Sequence, residues 1–345
     1  MDLGGRREGG ATIKRLKDIA AETGYSIKTV SRAIHDHPDI KRETRERIME
    51  VVRKHGFTPQ WAAQSLRIRR THTIGFAVPN LTNGFFGQIA MTIDAHFRQA
   101  RYSTLICFTA KDYRNELESL GSLLSKNVDG IIFAPSAYGG RYFQDLPQLA
   151  EKPLVLIDNR CENVDGWYVL HDNNHGMKLL ADHLLERGYR RIAFIGGPPQ
   201  ESSAVERLEG YRQALYAHGL EPEEELVRTA EWDQVGGGYE ATVDLLGSRR
   251  GRVDAVLYAN SQLLLGGYKA IHGLGLRIPG ELAVAGFDPP YVIDSLVPRP
   301  TTLGKVEEEI GLTAARLLQE LIAGSKSASG KEIRIRSGLA VGDSS

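Results

Sequence analysis

Ile27, Lys28 and Arg32 fall on one arc of a short stretch with helical periodicity, and their chemistry suits a DNA surface. Lysine and arginine donate to phosphate oxygens and to guanine, while isoleucine offers apolar contact to a thymine methyl. All three lie in LKDIAAETGYSIKTVSRAI, residues 16–34, which reads as two short helices joined by a tight turn at Gly24. Leu16, Ile19 and Ala20 give the first helix a buried face, and Ala20 is small enough for a second helix to cross closely. Ser26 caps the second helix through its hydroxyl, while Val30 and Ile34, four residues apart, face inward. That spacing follows the logic of a helix-turn-helix, whose second helix enters the major groove. Downstream, KRETRERIMEVVRKHGF predicts a third amphipathic helix with Ile48, Val51 and Val52 inward. Any three-helix miniature domain needs similar spacing, so the charge distribution has to decide.

The 345-residue chain is neutral as a whole, with 43 basic and 43 acidic side chains. By region it is not. Residues 11–70 hold 14 Lys and Arg against 7 Asp and Glu, a balance of +7, and residues 71–345 hold 27 against 34, a balance of −7. A basic module on an acidic body is the electrostatic footprint of a nucleic-acid reader whose other domain stays off the phosphates.

A second set of candidates emerges from the body. TIGFAVPN, STLICFTA, VDGIIFAPS, PLVLIDN, RIAFIGG, AVLYAN and ELAVAGFD read as strands, with helical patterns such as GFFGQIAMTIDAHFRQA and GMKLLADHLLERG between most of them. That alternation predicts parallel sheet in an α/β body. Ligands of such sheets bind beyond the carboxyl ends of the strands, where Asn80, Asp158, Asn260 and Asp288 stand.

Composition and motifs narrow the function classes. The length suits two or three domains. No apolar run approaches the roughly 20 residues of a membrane helix, and the opening MDLGGRREGG has no apolar secretory core, so a cytosolic protein is expected. Cys107 and Cys161 are far apart and suggest neither a disulfide frame nor a zinc site; Cys107, within an apolar strand, reads as a small core residue. The chain has no phosphate-binding loop, dinucleotide fingerprint or nucleophile elbow, and His171 and His175 flank a loop-like Asp-Asn-Asn. An enzyme is disfavoured, and no metal or cofactor is implied.

Taken together, the chain resembles the lactose/galactose repressor family (LacI/GalR) of bacterial transcription regulators, from about residue 12 to near its end. The similarity rests on Ile19-Ala20, Gly24-Tyr25-Ser26 and Thr29-Val30-Ser31-Arg32 in the head. In the body it rests on Pro79-Asn80 with Asn83, Phe85 and Phe86; Leu156-Ile157-Asp158; Ile195-Gly196-Gly197-Pro198; Arg207 with Gly210; Ala259-Asn260; Gly286-Phe287-Asp288; and Pro300-Thr301-Thr302. The resemblance implies an N-terminal extension (1–11), an all-α helix-turn-helix domain (12–58) and a hinge helix or linker (59–71). It also implies a two-lobed periplasmic-binding-protein-like effector and dimerisation domain (72–345), its first lobe about 72–170 with 300–325, and its second about 171–299 with 326–345.

The resemblance also assigns roles. Ile27 and Lys28 match the base-contacting pair, with Arg32 nearby and Ser26 and Thr29 placed for phosphates. His35 stands where the family often has Asn, and Lys41 where it often has a Ser cap. Ala63 and Leu66 match key positions of the hinge, where two Leu66 side chains would wedge into a central base step and bend the duplex. Asp158, Arg207, Asn260 and Asp288 match effector-bonding positions, and Trp232 and Phe86 match aromatic positions that stack on an apolar ring face. Asn83, Phe85 and Lys305 complete the expected effector site. Lys305 replaces a usual Gln and Ser261 a usual Asp, so a pocket with Arg207, Lys305 and Arg160 is expected to be more cationic, suiting a sugar derivative that carries an acid as well as a neutral sugar. The implied protein is a cytoplasmic, nucleoid-associated homodimer that binds a near-palindromic operator in double-stranded DNA and is controlled by a small sugar or sugar derivative. The polar tail after Ala323 holds no heptads for a tetramerising coiled coil. The rival readings, an enzyme or a sugar-transport protein, lack catalytic motifs and a signal segment respectively.

Overall fold

A computed structural model describes residues 15–34, 37–57, 70–82, 84–136, 140–232, 234–247, 253–289, 292–325 and 331–345. The chain divides into two compact units, Met1–Thr71 and His72–Ser345.

In the first unit, α1 (Leu16–Thr23), α2 (Ile27–Ile34) and α3 (Arg42–Lys54) close around Ile19, Ala20, Val30, Ala33, Ile48 and Val52. Gly24 ends α1 in the left-handed region, φ 75°, where its N–H returns to the Ala20 carbonyl at 2.9 Å. A side chain there would be strained, so glycine sets the angle between α1 and α2. Ile34 and Val51 pack against this core from its margin rather than within it.

The second unit is built on two six-stranded sheets. The first runs β11-β5-β4-β3-β1-β2, comprising Glu332–Ile335, Trp167–His171, Leu154–Ile157, Gly130–Phe133, Thr73–Val78 and Ser103–Phe108. The second runs β12-β10-β9-β8-β6-β7, comprising Leu339–Ala340, Thr301–Leu303, Ala283–Gly286, Ala255–Tyr258, Ile192–Gly196 and Val227–Thr229. All pairings are parallel except β12 with β10. The seven expected strands are all present. β5, β7 and β10 to β12 are additional; β7, β10 and β12 hold only two or three residues, too few for a pattern to stand out.

Two lobe assignments are corrected. Thr301–Leu303 was expected in the first lobe but pairs with β9 in the second sheet, and Glu332–Ile335 was expected in the second but pairs in register with β5, Glu332 opposite Tyr168. The chain passes between lobes after β5, after β10 and again after β11. The segment EIRI alternates charge with apolar residues because it is an edge strand, so it reads locally as polar tail.

Helices Asn173–Glu186 (α4) and Ser202–Ala217 (α5) pack so closely in the second lobe that a Cβ on Gly210 would stand 2.3 Å from the Asn174 carbonyl oxygen. Helix Glu307–Ile322 (α6) buries Ile310, Ala314 and Leu318 in the first-lobe core with Ile89, Ile93 and Phe97. Among the described residues, no helix is long and apolar enough to cross a membrane.

Candidate functional site

The second helix of the head presents its expected arc. Ile27 is 52% exposed, unusual for isoleucine, and Lys28 is exposed beside it. Ser26 Oγ accepts from Thr29 N at 3.1 Å and lies 2.9 Å from Thr29 Oγ1, so both hydroxyls, expected at phosphates, also cap the helix start. Arg32 Nη1 lies 3.6 Å from Asp39 Oδ2, which His37 Nδ1 approaches at 3.4 Å. Asp39 was not anticipated. His35, Ala63 and Leu66, with residues 59–69 of the expected hinge, lie outside the described residues.

In the second unit the ends of β1, β2, β4, β6, β7, β8 and β9 bring Phe85, Phe86, Asp158, Arg207, Trp232, Asn260 and Asp288 around one cleft, joined by Lys111, Glu201 and Ser203. The cleft has a volume of about 30 Å³, room for little more than water. Its side chains hold one another. Lys111 Nζ, from the first lobe, lies 3.1 Å from Glu201 Oε1 of the second. Asn159 Nδ2 donates to Asp158 Oδ2 at 3.0 Å and to Glu201 Oε2 at 3.4 Å. Arg207 donates from Nε to Asn173 Oδ1 at 2.9 Å and from Nη1 to the Ala259 carbonyl at 2.5 Å, with Asp288 Oδ2 at 3.6 Å from Nη1.

The wall around Trp232 shows how the sequence makes room for it. A Cβ on Gly197 would lie 2.0 Å from the indole, so only glycine lets the ring seat there. Arg207 and Lys111 lie 5.3 and 5.8 Å from its ring centroid, within cation–π range. Trp232 Nε1 is buried and has no hydrogen-bond partner among the described residues. Asn260 is committed more deeply: its Oδ1 accepts from Leu263 N at 2.9 Å and its Nδ2 donates to the Trp232 carbonyl at 3.0 Å.

Burial dominates the electrostatics. Asp288 is pushed up to about 6 by burial, against the lowering pull of Arg207 and with added repulsion from Glu307 and Asp158. Glu201 is likewise raised by burial, against Lys111. His171 is driven down to about 3 by burial and by Arg207, and its Nε2 meets Ser337 Oγ at 2.9 Å, which places it in the lobe crossovers as a neutral residue.

Four expectations change here. Lys305 is exposed and lines a neighbouring cavity of about 670 Å³ with Leu81, Met91, Val292 and Glu308, rather than the cleft. Arg160 turns to Glu332 at 3.4 Å. The second cation of the cleft is Lys111, and it arrives with a carboxylate of its own. Asn80 accepts from Thr82 N and Oγ1 in a local turn at the end of β1. Asn83 lies outside the described residues. Cys107 is only half-buried, in a strand at the sheet edge.

With this geometry established, comparison with known proteins is informative. Residues 15–60 match the family described as bacterial regulatory proteins, lacI family, and residues 181–345 match a periplasmic binding protein-like domain. The chain is 28% identical over 308 residues to the HTH-type transcriptional regulator RegA of Clostridium saccharobutylicum, covering 89% of this chain and 92% of that one. It is 29% identical over 307 residues to the ribose operon repressor of Haemophilus influenzae, covering 89% and 91%. The solved complex of the transcriptional regulator CelR with cellobiose is 28% identical with a TM-score of 0.73, covering 96% of this chain and 99% of that one. The lac repressor dimer bound to operator and an anti-inducer superposes with a TM-score of 0.84 over 96% and 98% at 23% identity, a likeness of fold alone.

Proposed function

We propose that the chain is a ligand-responsive DNA-binding regulator of transcription of the lacI family, and that it represses carbohydrate-utilisation genes under the control of a sugar or sugar derivative bound in the cleft. The observation that carries the reading is the convergence of Phe86, Asp158, Arg207, Trp232, Asn260 and Asp288, scattered over 203 positions counted inclusively from 86 to 288, into one interlobe cleft of a chain that opens with a DNA-reading head. Carboxylates accept from sugar hydroxyls, guanidinium and amide groups donate to them, and the indole covers an apolar ring face. Relatives named for ribose control and for a cellobiose complex support the same ligand class.

In this reading two chains pair, their α2 helices read the halves of a near-palindromic operator, and the 59–71 segments fold against DNA with Leu66 at the central step. Ser26 and Thr29 face phosphates, and Ile27 and Lys28 meet base edges with Arg32 nearby. Effector binding changes the relation of the lobes, and so the geometry in which the hinges meet; DNA must change effector affinity by the same factor. Such a protein works in the cytoplasm, at the nucleoid.

Thermal melting against a panel of pentoses, hexoses and disaccharides tests the ligand class. A compound that raises the melting temperature of the wild type but not of Asp158→Asn supports the reading. Turnover of that compound would instead favour an enzyme.

A further inference from the structure

Among the described residues the cleft holds three carboxylates, Asp158, Glu201 and Asp288, against two cations, Lys111 and Arg207, and each cation already lies within 3.6 Å of a carboxylate, Lys111 with Glu201 and Arg207 with Asp288. Glu201 also occupies the N-cap of helix α5, the position whose dipole and open amides favour an anion. The Glu201 side chain makes no hydrogen bond to the first-turn amides, and the amide of Ser203 donates instead to the neutral Asn159 Oδ1 at 3.0 Å. Lys111 is aimed there by an unusual backbone: Ala110 and Lys111 are consecutive non-glycine residues at φ 51° and 57°, a strained pair of the sort that persists where the surroundings over-determine it.

We propose that the Lys111–Glu201 pair, which bridges the lobes inside the cleft, sets the effector class: neutral polyols enter, and anionic sugars such as uronates and sugar phosphates are excluded, with Glu201 as the excluding residue. This rests on the cleft being the effector site. A neutral hydroxyl donates to Glu201 and accepts from Lys111, bridging the pair with no change in charge. An anionic ligand in the same confined space meets Glu201 and Asp158 and brings no counter-ion.

The test uses the full chain with inorganic phosphate and D-glucuronate as anionic probes, D-glucose and cellobiose as neutral ones, and chloride at matched ionic strength as the blank. Binding is read by tryptophan fluorescence, with Trp232→Phe to locate the signal. The wild type is expected to ignore both anions, while Glu201→Gln gains affinity for at least one of them by about tenfold or more, the scale of one charge-assisted hydrogen bond. Lys111→Met added to Glu201→Gln should remove that gain and so trace it to Lys111. Glu201→Ser serves in place of Glu201→Gln if the latter does not melt cooperatively. Binding of either anion by the wild type with a Trp232 signal overturns the proposal, as does a cooperatively folded Glu201 variant that gains none. Operator binding by the same wild-type preparation reports separately on the regulator reading.

Discussion

Arg207 Nη1 stands 3.6 Å from Asp288 Oδ2, and the same guanidinium lies 3.8 Å over the ring of Phe287, so one buried cation joins the carboxylate at the end of β9 to the body of the second lobe. Both side chains are at most 14% exposed. Removing the cation leaves a buried carboxylate without compensation, which costs on the order of 3–5 kcal/mol. Arg207→Met should therefore lower the urea midpoint of the effector unit strongly, whereas Arg207→Met with Asp288→Leu should recover much of the loss. Equal losses in the single and double variants would mean that the pair is not coupled.

The raised pKa of Asp288 makes a separate prediction about pH. Its folded value of about 6 exceeds the ordinary 3.8, so the native state holds its proton more tightly than the unfolded chain. Stability from this group is complete below about pH 4 and is lost as pH rises through about 6. Wild type should thus lose stability relative to Asp288→Asn between about pH 4 and about pH 7, seen as a widening gap in melting temperature. Parallel curves would contradict it.

In the head, Lys28 is the exposed donor on the α2 arc. Lys28→Ala should cost about 1–3 kcal/mol on the preferred operator and relax base preference at one position in each half-site, measured by fluorescence anisotropy at fixed salt. A uniform loss over all sequences would make Lys28 a phosphate contact instead.

Packing yields a test remote from either site. Gly210→Ala places a methyl 2.3 Å from the Asn174 carbonyl oxygen and must push α4 and α5 apart. Overpacking of this kind costs about 1–3 kcal/mol, or several degrees in melting temperature for a domain of this size. An unchanged melting curve would show that the two helices can separate freely.

Much of this architecture is legible in the chain, for identifiable reasons. The head is readable because its apolar residues recur at helical spacing around one left-handed glycine, and the cleft is readable where polar residues end long apolar strands, as at Asp158, Asn260 and Asp288. Lys111 and Glu201 escape such reading. They are 90 positions apart and neither belongs to a strand or a helix body, so only the closure of the two lobes makes them partners. The signals were present all the same: a lysine following the second strand and a glutamate just before a helix that begins Ser-Ser. Lys305 misleads for the converse reason, since matching its position cannot show that its side chain opens onto the cavity beside the cleft. Asp39 illustrates a third case, a surface acid whose partner, Arg32, is fixed only once α2 and α3 are packed.

The most direct measurement is selection from a randomised pool of duplex DNA at physiological salt, with bound molecules sequenced in the presence and absence of a panel of neutral sugars. The account predicts a near-palindromic site whose enrichment one sugar changes, and whose selection weakens in Lys28→Ala. Salt-sensitive binding with no sequence preference under every condition would contradict it, because phosphates alone would then hold the protein on DNA.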